Sequence, residues 1–463
     1  LLHTQWFEQM KKTLEEMEEK YPQSTDGERE KYKLQLQQIR KNCDQLLKAW
    51  ATVEAQVGKL SKKHPELFGE VEEEAIGESF YLEESAVRHF RQGQGYYQLM
   101  MFKEANQMFE QVINEEPDFI LGRLYLGLSQ FQQGELEQAE QHFRWVSHIS
   151  TEDIFIGFSF HMLGCIQVRK ENDLQAVRFF QKAVSFLPDL PDAWFNIGAC
   201  YYRLQEYQEA ISAFHQTLKY DKDDWESMYY LSNCYRYYHD WGNVSFWRLA
   251  SLEKQKHPQI IESIAQDCEE MGDHECAINW YLRLMVEDRN SWTAYHGMVW
   301  NFWVMGKKDA AWLWLKKGLT LFPQQIELLY LQIWMLLDEG RLTELKQIIQ
   351  ILPLNYHERP ITWMIFSRFY SLQGNTDEAF RITEEMVQQS NQTIQAFGYY
   401  QKGRILLDKQ QPQQAIRFFQ KAFELESSWT EPKFFEGICH MLAGELDRTE
   451  QCWRVIAFPY MEN

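Results

Sequence analysis

Apolar residues along most of this chain fall three or four apart, the spacing of one helix face, and each run ends in a polar or glycine-bearing break. The stretch PDAWFNIGACYYRLQEYQEAISAFHQTLKYDKD, Pro191 to Asp223, shows the pattern most clearly. Trp194, Ile197 and Tyr201 mark one apolar face, and Ala210 and Phe214 mark a second. Two short amphipathic helices joined by a turn are predicted. Moving the frame by 34 residues brings the same landmarks round again. From Ala86 come Gly93, Tyr96, Ala105, Phe109 and Pro117; from Ile120 come Leu126, Gly127, Ala139, Phe143 and Val146. From Gly157 come Phe160, Leu163, Gly164, Ala176, Phe180, Ala183 and Pro188. Later copies keep the period and lose landmarks. The copy from Trp225 shows Leu231 and Tyr235, with its turn expected at Gly242. Copies from Pro258, Trp292, Ile326, Pro360, Ala396 and Thr430 follow, and the one from Ile326 has Leu345 in place of alanine and a short second helix. Eleven units are expected over 86–463.

The landmarks have physical roles. Gly198 and Ala210 are expected where the two helices cross, because only small side chains permit a close approach. Trp194, Tyr201 and Phe214 fill the volume around the crossing, and Pro117 and Pro188 stop second helices, since proline lacks the N–H and clashes with the preceding turn. The pattern resembles the tetratricopeptide repeat, a helix-turn-helix unit of about 34 residues. The resemblance implies an all-α, right-handed superhelix (an α-solenoid) whose first helices line a concave face, each unit touching mainly its neighbours. The degenerate copy from Ile326 leaves two readings open, one continuous stack or two blocks, 86–353 and 354–463.

Residues 1–68 follow a different rule. Phe7, Met10, Leu14, Met17 and Tyr21, then Tyr32, Leu36, Ile39, Cys43, Leu46, Trp50, Val53, Val57 and Leu60, alternate steps of three and four, a heptad seam. Thr25 and Glu28 fit a capping box at the start of the second helix. An antiparallel helical hairpin is predicted, packed on the first repeat or paired with a second copy of the chain as a homodimer. The acidic stretch 69–85 reads as a solvated linker.

Composition narrows the function classes. The formal net charge of −20 disfavours phosphate backbones, so no nucleic-acid partner is expected. No apolar run reaches the 18 or more residues of a spanning helix, so no membrane partner is expected. The chain begins at Leu1 without a methionine, which leaves a processed product, or a domain lost upstream, open. Among eight cysteines, Cys165, Cys200, Cys234 and Cys268 repeat with the units rather than clustering as zinc ligands. All eight read as small hydrophobes in a reducing compartment, hence a cytoplasmic protein with no metal and no cofactor. Phosphate-loop, nucleophile-elbow, zincin and EF-hand motifs are absent, and His274, Glu275 and Cys276 read as a polar repeat turn. No catalytic residue is assigned and no enzyme is expected.

Carrying the family's groove positions over places candidate binding residues. The central repeats contribute His161 and Arg169, then Asp192, Phe195, Asn196, Tyr202 and Arg203, then Glu226, Tyr229, Asn233, Arg236 and Tyr237. Asparagine can pair with both main-chain groups of an extended peptide, and arginine can hold a carboxylate bidentately. The carboxylate clamp of chaperone-binding repeats is not matched, since His161 and Cys165 stand where lysine and asparagine are needed. Further along, His296, Trp300, Trp303, Tyr330, Trp334, Arg368, Tyr400 and Arg404 fall on groove positions. So many tryptophans imply a partner that covers them or a superhelix tight enough to bury them. The leading expectation is a non-enzymatic scaffold or adaptor that binds a protein or peptide segment on its concave face. Two alternatives stay open: a peptide-responsive regulator of bacterial type with the N-terminal helices as output module, and the non-catalytic part of a larger enzyme.

Overall fold

Eleven pairs of helices follow one another in the computed structural model, which describes residues 84–351 and 359–457 and positions 14, 17, 20, 21, 29, 31–37 and 39–41. The first three pairs are α1 (Glu84–Gln98) and α2 (Phe102–Glu115), α3 (Ile120–Gln133) and α4 (Leu136–Ile149), and α5 (Asp153–Arg169) and α6 (Asp173–Phe186). Next come α7 (Pro191–Arg203) and α8 (Tyr207–Tyr220), then α9 (Trp225–Tyr237) and α10 (Trp241–Lys254). After Lys256 follow α11 (Pro258–Glu270) and α12 (His274–Glu287), α13 (Trp292–Val304) and α14 (Lys308–Leu321), and α15 (Ile326–Asp338) and α16 (Leu342–Ile351). The last three are α17 (Pro360–Leu372) and α18 (Thr376–Val387), α19 (Gln392–Asp408) and α20 (Pro412–Leu425), and α21 (Glu431–Leu442) and α22 (Leu446–Ala457). No strand occurs among the described residues. The chain divides into two compact bodies between Lys256 and His257. The join expected near Leu354 lies outside the described residues, as do most of the N-terminal heptad seam and the acidic linker. Where the N-terminal positions are described they are mainly helical, and the Tyr21 and Tyr32 rings meet edge-on with centroids 6.3 Å apart.

Each pair turns on one residue with left-handed backbone. These are Met100, Gly134, Glu171, Gln205, His239, Gly272, Gly306, Gly340, Gly374, Gln410 and Gly444, with φ between 54° and 86°. At Gly306 the turn is a Schellman motif: its own N–H bonds to Trp303 O and that of Lys307 to Phe302 O, both at 2.9 Å. Gln205 builds the same motif through Tyr202 O and Tyr201 O, without the glycine that makes such a φ easy. The turn expected at Gly242 is instead made by His239, and Gly242 lies inside α10. Position relative to the helix end, not the presence of glycine, decides which residue turns.

Within a pair, an aromatic ring of the second helix lies against a glycine of the first. A Cβ on Gly198 would stand 2.7 Å from the Phe214 ring. The same spacing of 16 residues joins Gly93 to Phe109, Gly127 to Phe143, Gly164 to Phe180, Gly403 to Phe419 and Gly437 to Trp453. Gly297 departs from it, meeting the Tyr281 ring of the preceding helix, α12. Phe109, Phe143, Phe180, Phe214 and Phe419 are among the largest fully buried side chains, and Ala105, Ala139, Ala176, Ala210 and Ala415 are fully buried beside them. Ring against missing Cβ therefore sets how closely the two helices approach.

Two stability predictions follow from turn and crossing. Gln205→Gly removes an αL penalty of ~1–2 kcal/mol but adds unfolded-chain entropy worth ~0.4–1 kcal/mol. The net is a gain of about 0.5–1 kcal/mol in denaturation of the full chain, whereas Gly306→Ala loses about 1 kcal/mol. Gly198→Ala overpacks the crossing and costs about 1–3 kcal/mol. Combining it with Phe214→Leu costs less than the two single losses added, because the smaller side chain makes room for the new methyl.

Candidate partner-binding groove

First helices of neighbouring pairs touch one another along the stack, as α7 does α9 in the first body, and as α13 does α15, α15 does α17, and α17 does α19 in the second. In the second body the free faces of α13, α15, α17 and α19 therefore form one surface. The expected groove residues lie on first helices, in two separate groups.

In the first body most of the candidate cations are engaged within the chain. Arg169 donates to Phe131 O at 2.8 Å, satisfying a last-turn carbonyl of α3, and its guanidinium lies 3.9 Å from the centroid of the Phe131 ring. Arg203 grips Asp173 through Nε and Nη2, with Nη2 2.6 Å from Oδ1. That contact holds the Asp173 carboxyl below its ordinary range. Arg236 also has a partner within the chain. Phe195, Tyr202 and Tyr229 join Tyr230 in a cluster of rings whose centroids are 5.3–6.0 Å apart. Tyr237 is 61% exposed and rests on Tyr207 at 4.2 Å. Asn196 and Asn233 are half-buried and make no side-chain hydrogen bond to a described residue. His161 packs on the Phe180 ring, and burial lowers its pKa.

The second body differs. A cavity of about 800 Å³ opens between α15, α17 and α19. Tyr330, Trp334, Arg368 and Arg404, all expected on the groove, line it together with Tyr400. Its apolar wall includes Leu337, Ile361, Met364 and Leu372. Arg368 pairs with Asp408, which also accepts from Ser371 Oγ at 3.0 Å. Arg404 is held by neutral partners: its Nη1 donates to Tyr400 Oη at 2.9 Å and its guanidinium lies 4.1 Å from the Phe435 ring centroid. No carboxylate of a described residue lies within ion-pair distance of it. Trp300 and Trp334 are 36% and 40% exposed, with ring centroids 5.4 Å apart. Trp303, expected beside them on the surface, is only 7% exposed; it packs among Trp312 and Trp334 with Lys308 Nζ over its ring. Local packing on Trp312 and Trp334 thus buries Trp303, while Trp300 and Trp334 stay partly exposed.

Sequence reasoning missed Gln401, which lines the same cavity, is 6% exposed and has an Oε1 with no hydrogen-bond partner among the described residues. It stands five residues after Ala396, as Asn196 stands five after Pro191, and that equivalence was the signal available. His274, weighed as part of a possible metal turn, bonds instead to Asn301 Oδ1 at 2.8 Å.

The Arg203–Asp173 pair yields a pH prediction. A carboxylate with a depressed folded pKa contributes stability above its unfolded value, about 3.9, and loses it as pH falls through the folded value. Arg203→Gln is therefore expected to cost about 1 kcal/mol or less near pH 7, in keeping with a partly exposed pair. In parallel thermal melts the gap from wild type narrows as pH falls below about 3.9 and closes once Asp173 is protonated in the folded chain.

Residues 89–118, 191–224 and 398–428 match family models described as tetratricopeptide repeat. The tetratricopeptide repeat-containing protein trd-1 of Caenorhabditis elegans is 21% identical over 193 residues, which is 41% of this chain and 24% of trd-1. The match thus spans about a quarter of that relative's length. Among solved structures, the C-terminal part of a TPR repeat-containing protein from Cytophaga hutchinsonii matches at 17% identity and TM-score 0.41, over 56% of this chain and 98% of that one. PilW, a type IV pilus biogenesis factor, matches at 13% identity and TM-score 0.40, over 44% of this chain and 94% of its own. Repeats of this kind serve generally as protein-interaction scaffolds. With eleven helix pairs, three family matches and a repeat-bearing relative, the chain is a tetratricopeptide-repeat protein.

Proposed function

We propose that this chain is a non-enzymatic scaffold that takes an extended protein segment into the cavity between α15, α17 and α19, and that the segment carries a carboxylate beside a large apolar side chain. One observation carries the reading: Arg404 lines the cavity opposite an apolar wall while lacking a carboxylate partner among the described residues, and the cavity's own carboxylates, Asp338 and Glu339, are taken by Lys308 and Arg341. A guanidinium in that setting accepts a carboxylate bidentately, and the low local polarity strengthens the contact. Gln401 Oε1 supplies an acceptor for a main-chain N–H of the same segment. Trp334, Ile361 and Leu372 supply exposed area for the apolar side chain. The central strip from Arg169 to Tyr237 is a weaker candidate for an acidic ligand, because Arg169, Arg203 and Arg236 already have partners inside the chain.

A displayed random-peptide library selected on the full chain tests this. The expected yield is a set of peptides with Asp, Glu or a free C-terminus close to an aromatic or branched residue. Arg404→Glu weakens those peptides at least about tenfold, or ~1.4 kcal/mol, and Arg203→Glu leaves them bound. Equal binding to wild type and Arg404→Glu would overturn the assignment.

A further inference from the structure

Outside that groove, the last described helix pair brings three buried metal-ligating side chains together. Glu436 and His440 stand one turn apart on α21, and Cys452 lies on α22, sixteen residues after Glu436. That is the same spacing that sets Trp453 against Gly437, so the crossing of the pair itself places the thiol beside the carboxylate. A carboxylate oxygen of Glu436, a ring nitrogen of His440 and Cys452 Sγ all lie within 4.8 Å of one another, and all three residues are buried.

One carboxylate oxygen of the cluster, Glu436 Oε2, is buried without a hydrogen-bond partner among the described residues. His440 Nδ1 is 2.7 Å from Glu445 Oε2, which fixes that nitrogen as the N–H donor. In the neutral ring Nε2 then presents a lone pair, and it faces Glu436 Oε1 at 3.7 Å. With the ring neutral, two acceptors face one another in a buried place. Gln420 Nε2 donates to the same Oε1 at 2.9 Å, and Lys433 Nζ lies 2.9 Å from Oε2 but off the line a hydrogen bond needs.

We propose that Glu436, His440 and Cys452 bind a divalent transition-metal ion, zinc above all. Two nitrogen or oxygen ligands about 2.0–2.1 Å from a tetrahedral ion stand about 3.3–3.5 Å apart, close to the separation of Nε2 and Oε1. One nitrogen, one oxygen and one sulfur ligand form a set that zinc accepts and that magnesium and calcium do not favour. Glu445 holds the imidazole by its far nitrogen, as second partners of metal-bound histidines do. A cavity of about 300 Å³ beside the three residues, lined also by Lys433 and Arg448, has room for a water as fourth ligand. The ion clasps α22 to α21 across their crossing.

Cobalt titration of the metal-free full chain tests the site. One equivalent of Co²⁺ is expected to give thiolate-to-cobalt charge transfer and the intense d–d absorption of a four-coordinate ion, and Zn²⁺ bleaches both. Cys452→Ser abolishes the charge-transfer band, Glu436→Gln weakens binding at least about tenfold, and Cys276→Ser changes neither. X-ray absorption of the zinc-loaded wild type, which needs no variant to fold, should show one sulfur at about 2.3 Å. An aqueous cobalt spectrum at one equivalent, as expected if a proton on Nε2 alone bridges the two acceptors, would overturn the proposal. So would a zinc shell without sulfur, or a charge-transfer band that survives in folded Cys452→Ser.

Discussion

The aromatic ring that fills the place of a missing Cβ sixteen residues earlier is the contact on which the rest depends. Where Phe214 meets Gly198, and Phe419 meets Gly403, the two helices of a pair approach to the thickness of one ring, closer than any side chain on the glycine would allow. The ring occupies the space between them completely, so each second helix commits its apolar face inward. The first helix is left to meet its neighbours along the stack and to turn its remaining face outward. A surface of first helices is thus a consequence of the crossing. The same register also delivers Cys452 to Glu436, where the packing rule becomes a rule about chemistry.

What each surface can hold is then a question of charge. Arg203 reaches back 30 residues to Asp173, and Lys170 reaches back to Glu140 in the same way at 2.9 Å, so neighbouring pairs neutralise one another along the first body. In the second body Arg368 follows that habit with Asp408, while Arg404 rests on Tyr400 and Phe435. A cation bedded on rings keeps its attraction for a carboxylate, and this asymmetry separates the two groups of groove residues.

Much of the fold is legible in the sequence because a repeat states each rule many times. The start at Pro191, Trp225, Pro258, Trp292, Ile326 or Pro360 is the first residue of a helix in the structure. α5 and α19 begin four residues before their expected starts at Gly157 and Ala396, since an extra N-terminal turn leaves the register of Gly164 and Gly403 untouched. The turn of the fifth pair was misplaced because glycine only favours the left-handed conformation and His239 adopts it without one. Side-chain pairing was less legible. The Arg203–Asp173 contact joins different repeats, and its distance depends on how pairs stack, which apolar spacing does not encode. Trp303 shares its periodicity with Trp300, yet Trp312 and Trp334 enclose it. The Glu436, His440 and Cys452 cluster has no local motif, and a scan for closely spaced cysteines passes over ligands that come from two helices.

Hydrogen–deuterium exchange on the full chain, with and without a retained acidic segment, is the most direct measure of where a partner sits. Protection concentrated in residues 326–338, 360–372 and 392–408, with 191–237 unchanged, is the result predicted here. Protection confined to the first body, or to the second helices of the pairs, would contradict the placement of the groove.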